Sequence, residues 1–131
     1  MKQVELHLIG GGEDEVALFN LIDEYPNCRL QCEYRDRRLE ATASDFFEAL
    51  CVVRNMMATD GLIPFCYGAS LNVYPSGMAR DMGRGLKAYK LKKGHRAEEL
   101  VEIFAEAADV IPSSVERQRE FWQDWLASPK K

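Results

Sequence analysis

Residues 75–85, with the sequence PSGMARDMGRG, contain the side chains of this chain best suited to bind an anion. Ser76, Arg80 and Arg84 can each donate hydrogen bonds to a phosphate or a carboxylate. The glycines of the segment permit positive φ angles and close approach of the backbone to a ligand. The segment is longer than a hairpin turn, and long loops in small domains are often functional. No Gly-Lys-Ser/Thr closes it, so it does not match a Walker A loop.

The positive charge of the chain is concentrated at and after this loop. Residues 80–96 hold seven Lys/Arg and one acid, whereas the whole chain has a net charge of -4 and a pI near 5.2. A basic segment on an acidic protein indicates a docking site for something anionic. The alternative is a structural loop, with Met78 and Met82 packed on the core and the basic side chains solvated. Nucleic acid is not the expected partner, because the whole chain is acidic and Tyr89 is the one aromatic residue of the basic segment.

The chain has no local pattern typical of a metal site or of an activated nucleophile. Cys28 and Cys32 lack a second pair at zinc-finger spacing, and His7 and His95 are far apart in sequence. Cys66 could meet a histidine from elsewhere, but a cysteine on a strand face is more often a packing residue. We therefore expect no metal and no cofactor.

Length and composition predict one globular domain over residues 1–131, with 47% hydrophobic and 29% charged residues. A chain of this size can fold without a disulfide or a metal, so the four cysteines are expected to be reduced thiols. No signal-like segment is visible, which predicts a cytoplasmic protein. The longest apolar stretch, residues 46–58, is shorter than the roughly 20 residues of a membrane span, so we expect no membrane association.

Hydrophobic periodicity predicts the elements that must position these residues. Alternation of apolar and polar side chains predicts strands at residues 2–9, 28–34, 39–43, 65–74 and 86–91. Helical spacing and capping signals predict helices at residues 13–25, at residues 45–58 after Ser44, at residues 97–108, and after the Ser113/Glu116 capping pattern. The order β-α-β-β-α-β-β-α-α predicts an α+β fold with a mostly antiparallel sheet covered by helices.

The sequence leaves the pairing of one hairpin and the type of one segment open. A tight hairpin over residues 28–43 would oppose Glu33 to Glu40, which is unfavourable, whereas a longer loop would oppose Arg35 to Glu40. Residues 97–108 fit a helix, but a short strand around Val101 to Phe104 is the alternative.

These observations predict a small cytoplasmic protein that binds an acidic protein partner, such as a toxin-immunity protein or a regulatory inhibitor. The predicted surface consists of the glycine-rich loop and the basic strand after it: Asn72, Tyr74, Ser76, Met78, Arg80, Asp81, Met82, Arg84 and Lys87. In this hypothesis the arginines and Lys87 meet carboxylates of the partner. Tyr74 and the two methionines form the apolar centre of the interface.

Two other functions fit the same residues. One is a small-molecule site in which the loop holds a phosphate- or carboxylate-bearing ligand, with Cys66 or Asp81 as a catalytic group. It requires a concave pocket with convergent polar groups beneath the loop. The protein interface instead requires a flat or convex exposed patch. The second is a homo-oligomer in which the loop closes a two-fold interface.

Overall fold

A computed structural model describes residues 2–130 of the chain. The strands are β1 (Lys2–Ile9), β2 (Glu15–Glu24), β3 (Asn27–Tyr34), β4 (Arg37–Ala43), β5 (Ile63–Pro64), β6 (Val73–Tyr74), β7 (Lys87–Lys90) and β8 (Leu100–Glu102). The helices are α1 (Phe46–Ala58), α2 (Gly77–Met82) and α3 (Val115–Ala127). The strands form a curled sheet of order β4-β3-β2-β1-β5 and a small sheet of order β6-β7-β8. All of these pairings are antiparallel, and the predicted α+β fold is confirmed.

Helix α1 covers the inner face of the main sheet at β3 and β4. Its apolar residues recur at spacings of three and four, so that one broad face is buried. The helix confirms the prediction for this segment, but Asp45 caps it instead of Ser44. The Asp45 carboxylate accepts a hydrogen bond from the backbone N–H of Glu48 at 2.8 Å, which satisfies a donor of the first turn.

Residues 15–24 form strand β2, so the predicted helix over residues 13–25 is wrong. Ala17, Phe19 and Leu21 alternate into the core, while several residues between them are also apolar. A segment that is apolar on both faces fits the periodicity of a helix as well as that of a strand. The two neighbouring strands select the extended conformation, because β2 pairs along its length with β1 on one edge and with β3 on the other.

The β3–β4 hairpin adopts neither of the registers considered from the sequence. Tyr34 pairs with Arg37 across a turn of only two residues, Arg35 and Asp36, whose φ angles are 48° and 59°. This places Glu33 opposite Arg38, a favourable cross-strand charge pair. Two residues with positive φ are typical of the type I′ turn, which matches the twist of paired strands.

The substitution Asp36→Gly is expected to raise the free energy of unfolding by about 0.5 kcal/mol, because glycine adopts positive φ without a steric penalty. Urea denaturation measures the change. Thr42→Gly, at an exposed position of the neighbouring strand β4, is the control and is expected to lower stability by about 0.5–1 kcal/mol. Equal losses from both substitutions would contradict the turn conformation.

Two further segments differ from their predicted elements. The strand predicted over residues 65–74 is wrong, because residues 67–69 form a 3₁₀ turn and a strand is limited to residues 73–74, as β6. The helix predicted over residues 97–108 is also wrong. Strand β8 lies there instead, near the alternative strand, because the outer edge of β7 pairs with it and places Ala88 opposite Val101.

The remaining C-terminal elements follow the sequence closely. Strand β7 confirms the strand predicted over residues 86–91, and α3 confirms the last helix. Ser114 caps α3 instead of Ser113, since its hydroxyl accepts from the backbone N–H of Arg117 at 3.1 Å. Between residues 2 and 130, none of the helices combines the length and the apolar character needed to cross a bilayer. The corrected order is β-β-β-β-α-β-β-α-β-β-α.

Candidate functional site

An apolar groove lies where α2 and α3 approach the small sheet. Its cavity has a volume of about 350 Å³, within the roughly 300–1,000 Å³ typical of ligand pockets. We call it the aromatic groove. The side chains that give it this character are Tyr74, Met78, Tyr89, Leu91, Trp122 and Trp125.

The floor of the groove is a stack of aromatic rings from three elements. Tyr74 of β6 is buried and lies parallel to Trp122 of α3, with ring centroids 4.4 Å apart and an angle of 11° between the planes. Phe47 of α1 meets Tyr74 edge-on at 5.1 Å. Such contacts contribute about 0.5–1.5 kcal/mol each beyond burial. The floor is therefore held by the core and is preformed.

The second tryptophan of α3 links the groove to the basic segment. Trp125 donates a hydrogen bond from Nε1 to the carbonyl oxygen of His95 at 2.9 Å. The ring stays half-buried, with the Lys130 ammonium 4.2 Å from its centroid. This bond fixes residues 92–96 beside the groove.

Helix α2, which forms part of the predicted glycine-rich loop, supplies the rim. Ser76 caps it by accepting from the backbone N–H of Ala79 at 3.0 Å. Met78 lines the groove and is 71% exposed. Met82 is 80% exposed but does not line the groove. The two methionines therefore do not form one apolar centre with Tyr74.

Arg80 is occupied by acids of the chain itself. Its Nη1 lies 3.3 Å from Oδ2 of Asp45 and 3.5 Å from Oε2 of Glu48. Its guanidinium also lies over the rings of Phe47, at 5.0 Å, and Tyr74, at 5.6 Å. Arg80 thus braces α2 against the start of α1.

Arg84 is likewise paired within the chain. Its Nη2 lies 2.7 Å from Oδ1 of Asp23 and donates to the carbonyl oxygen of Asn27 at 2.9 Å. The hydrogen bond to Asp23 raises the pKa of Arg84. An anion binding at either arginine would have to compete with these carboxylates. The charges of both arginines are therefore already paired with carboxylates of the chain.

The other predicted site residues lie at separate places. Asn72 is half-buried and accepts a hydrogen bond from the Ser70 hydroxyl at 2.9 Å. Lys87 is exposed beside a different cavity, between β1 and β8, and Asp81 is exposed on α2. Of the predicted set, the structure brings only Tyr74, Ser76 and Met78 together in the groove.

Three exposed cations lie close in sequence to residues that line the groove. Lys92, Lys93 and Arg96 lie between two residues that line it, Leu91 and Ala97. Within residues 2–130, the first and last of these cations have no carboxylate within 4.0 Å. The Lys93 ammonium lies 3.8 Å from the exposed carboxylate of Asp124, a weak surface pair. Cations available to a partner thus lie next to an apolar groove.

Sequence reasoning missed the two tryptophans as site residues. Two tryptophans three positions apart on a helix are typical of an anchor on the core, but both side chains are only half-buried. One feature of the sequence could have indicated these residues, because both tryptophans of the chain lie on the same helix. Exposure of aromatic rings depends on neighbouring elements, so spacing alone could not reveal it.

The cysteines are buried free thiols, as predicted from their positions. Burial raises the pKa of Cys66 to about 11 and that of Cys32 to about 12. Cys66 is therefore protonated at neutral pH and is a poor nucleophile. Within residues 2–130, no three His, Cys, Asp or Glu side chains converge in a way that could hold a metal ion.

The groove thus combines a preformed aromatic floor, an exposed methionine at its rim and neighbouring exposed cations. This arrangement can accept an apolar side chain and attract negative charge around it. Comparison with known proteins finds no family profile that matches the chain and no curated protein similar to it.

Proposed function

We propose that this chain is a non-enzymatic binding protein whose aromatic groove receives an apolar side chain of an acidic protein partner. The observation that carries the proposal is that the exposed side chain of Met78 and the half-buried tryptophans meet at one concave, preformed site. Small proteins that neutralise a partner, such as toxin-immunity proteins and regulatory inhibitors, work by binding of this kind.

The chemistry of the groove supports an apolar anchor. Tryptophan and tyrosine supply large contact areas at low entropic cost, and they are enriched at interface hot spots. Methionine is flexible and polarizable, so Met78 can adapt to the side chain that enters. The groove is concave, which is the shape expected from the sequence for a small-molecule site. Its lining is mainly apolar and both neighbouring arginines are paired within the chain, so the convergent polar groups of such a site have less support here than an apolar anchor.

The neighbouring charges support an acidic partner. Lys92 and Arg96 are free to meet carboxylates, whereas Lys90 is already paired with Glu99 at 3.0 Å and Asp109 at 2.7 Å. Arg80 and Arg84 are paired with internal acids instead: Arg80 of α2 with Asp45, and Arg84, which follows α2, with Asp23 of β2. The charge that attracts the partner is thus carried by residues 92–96.

A small anionic ligand beneath the loop has less support. Its donors would be Ser76, Arg80 and Arg84. Both arginines are already paired with carboxylates of the chain, and the Ser76 hydroxyl oxygen accepts the capping hydrogen bond of α2. The cavity next to them is lined mainly by apolar side chains.

Intrinsic fluorescence tests the proposal without a label, because both tryptophans of the chain line the groove. The probe is the acidic peptide acetyl-EDEFLEDE-amide. We expect a saturable change in emission, and we expect binding to weaken at high salt because the charges are screened. The peptide acetyl-EDEALEDE-amide, which lacks the aromatic anchor, and a lysine-rich peptide with the same anchor are expected to bind at least tenfold more weakly.

Two variants of α2 provide a matched comparison. Met78→Asp places a carboxylate on the groove and is expected to weaken binding at least tenfold, which corresponds to about 1.4 kcal/mol. Met82→Asp adds the same charge to the same helix outside the groove and is expected to change binding little. Equal effects of the two variants, or no response of the wild type to the acidic peptide, would refute the proposal.

A further inference from the structure

A second cavity, independent of the proposed function, lies between the C-terminal part of α1, residues 61–64 and the start of α3. Its volume is about 230 Å³, and it shares no lining residue with the aromatic groove. Arg54, Asn55, Ala58, Leu62, Pro64 and Val115 are among the residues that line it. Most of the lining is apolar, but one wall carries a buried positive charge.

That charge belongs to Arg54, which is only 4% exposed. Its guanidinium donates to the carbonyl oxygens of Gly68 at 3.0 Å and Ser113 at 2.9 Å, and to Oε1 of Gln118 at 2.6 Å. No carboxylate of residues 2–130 lies within 4.0 Å of it. Buried charges in proteins are normally paired with an opposite charge, and Arg54 has only neutral acceptors.

The guanidinium also has donors to spare. Arginine carries five N–H groups, and oxygen acceptors within residues 2–130 engage three of them. Nε–H and one N–H of Nη2 remain without an oxygen partner in this part of the chain. Nε and Nη2 form the planar fork that binds both oxygens of a carboxylate.

We propose that this cavity is a binding site for a small apolar monocarboxylate, whose carboxylate pairs with Arg54 and whose body fills the apolar remainder. The exposed amide of Asn55, on the same wall, can add a hydrogen bond. The acid could be a free small molecule or the C-terminal carboxylate of an apolar peptide. Inorganic phosphate is not the expected ligand, because one guanidinium and an apolar wall leave most of its oxygens without donors.

Titration of the wild-type protein followed by amide NMR shifts tests the site. The probes are benzoate, its uncharged analogue benzamide, N-acetyl-leucine, N-acetyl-leucinamide and inorganic phosphate. We expect saturable shifts around Ala58 and Val115 with at least one of the two carboxylates, and at least tenfold weaker binding of the matching amide and of phosphate. Tighter binding of N-acetyl-leucine than of benzoate would assign the site to a peptide C-terminus, and the reverse order to a free acid. Either order supports the site.

A variant that fills the cavity from its exposed wall tests the site without removing a buried side chain. Ala58 is exposed at the cavity wall, so Ala58→Phe is expected to fold and to weaken binding of the carboxylate at least tenfold. Ala127→Phe, at an exposed alanine of α3 that does not line the cavity, is expected to leave binding unchanged. Absence of saturable shifts with both carboxylates, equal binding of acid and amide, or binding unaffected by Ala58→Phe would overturn the proposal.

Discussion

Replacement of Phe47 by alanine is expected to lower the free energy of unfolding by about 3–5 kcal/mol, the usual cost of removing a fully buried phenylalanine. The ring is 0% exposed and lies between the core, the edge of Tyr74 and the guanidinium of Arg80. Its loss removes apolar burial and leaves a cavity beneath the groove. Urea denaturation of the wild type and of the variant measures the effect.

The same substitution is expected to weaken binding of the acidic peptide to the groove, because Tyr74 loses the contact that supports its ring. Val52→Ala on the same helix is the control. Val52 is 41% exposed, so its truncation is expected to cost about 0.5 kcal/mol and to leave peptide binding unchanged. A stability loss of similar size in both variants would show that Phe47 does not occupy the core position described.

Replacement of Arg54 by methionine is expected to lower the free energy of unfolding by about 2–4 kcal/mol. The carbonyl of Ser113 and Oε1 of Gln118 would each lose a buried donor, whereas Gly68 keeps one from Nε2 of Gln118. Each buried acceptor left without a partner costs about 1–3 kcal/mol. Relief from burying an unpaired charge offsets part of this loss, but two orphaned acceptors outweigh it.

Chemical denaturation of Arg54→Met measures the net change in the free energy of unfolding. Arg117→Met, at an exposed position of α3, is the control and is expected to change stability by no more than about 0.5 kcal/mol. Gln118→Leu is also expected to lower the free energy of unfolding. The double variant is expected to lose less than the sum of the two single losses, because both side chains belong to one network. Full stability of Arg54→Met would mean that the network contributes little to folding.

The network around Arg54 and Gln118 also explains why the candidate site can be rigid without long strands. The Gln118 amide nitrogen lies 2.9 Å from each of the carbonyl oxygens of Gly68, Ser70 and Val73. Two of these carbonyls belong to the irregular segment between β5 and β6, and the third belongs to the first residue of β6. Buried polar groups with satisfied hydrogen bonds specify a single arrangement, here one that places Tyr74 against Trp122.

The candidate site was only partly predictable. Tyr74, Ser76 and Met78 were identified from the glycine-rich segment and do line the groove. The tryptophans complete it from α3, about 45 residues further along the chain, and no local pattern in residues 75–85 indicates that contact. The availability of the arginines could not be predicted either. Arg80 pairs with an acid 35 positions away and Arg84 with one 61 positions away.

The sequence by itself determined the α+β class, helices α1 and α3, strands β1 and β7, and the presence, though not the register, of the hairpin of β3 and β4. In each of these the spacing of apolar residues, a turn signal or a cap selects one local structure. Only the tertiary structure decided that residues 15–24 are a strand, that residues 100–102 pair with β7, and that the arginines are internally neutralised. The physical reason is that strand pairing and ion pairs depend on which distant segments become neighbours, and side-chain periodicity along the chain carries no record of that.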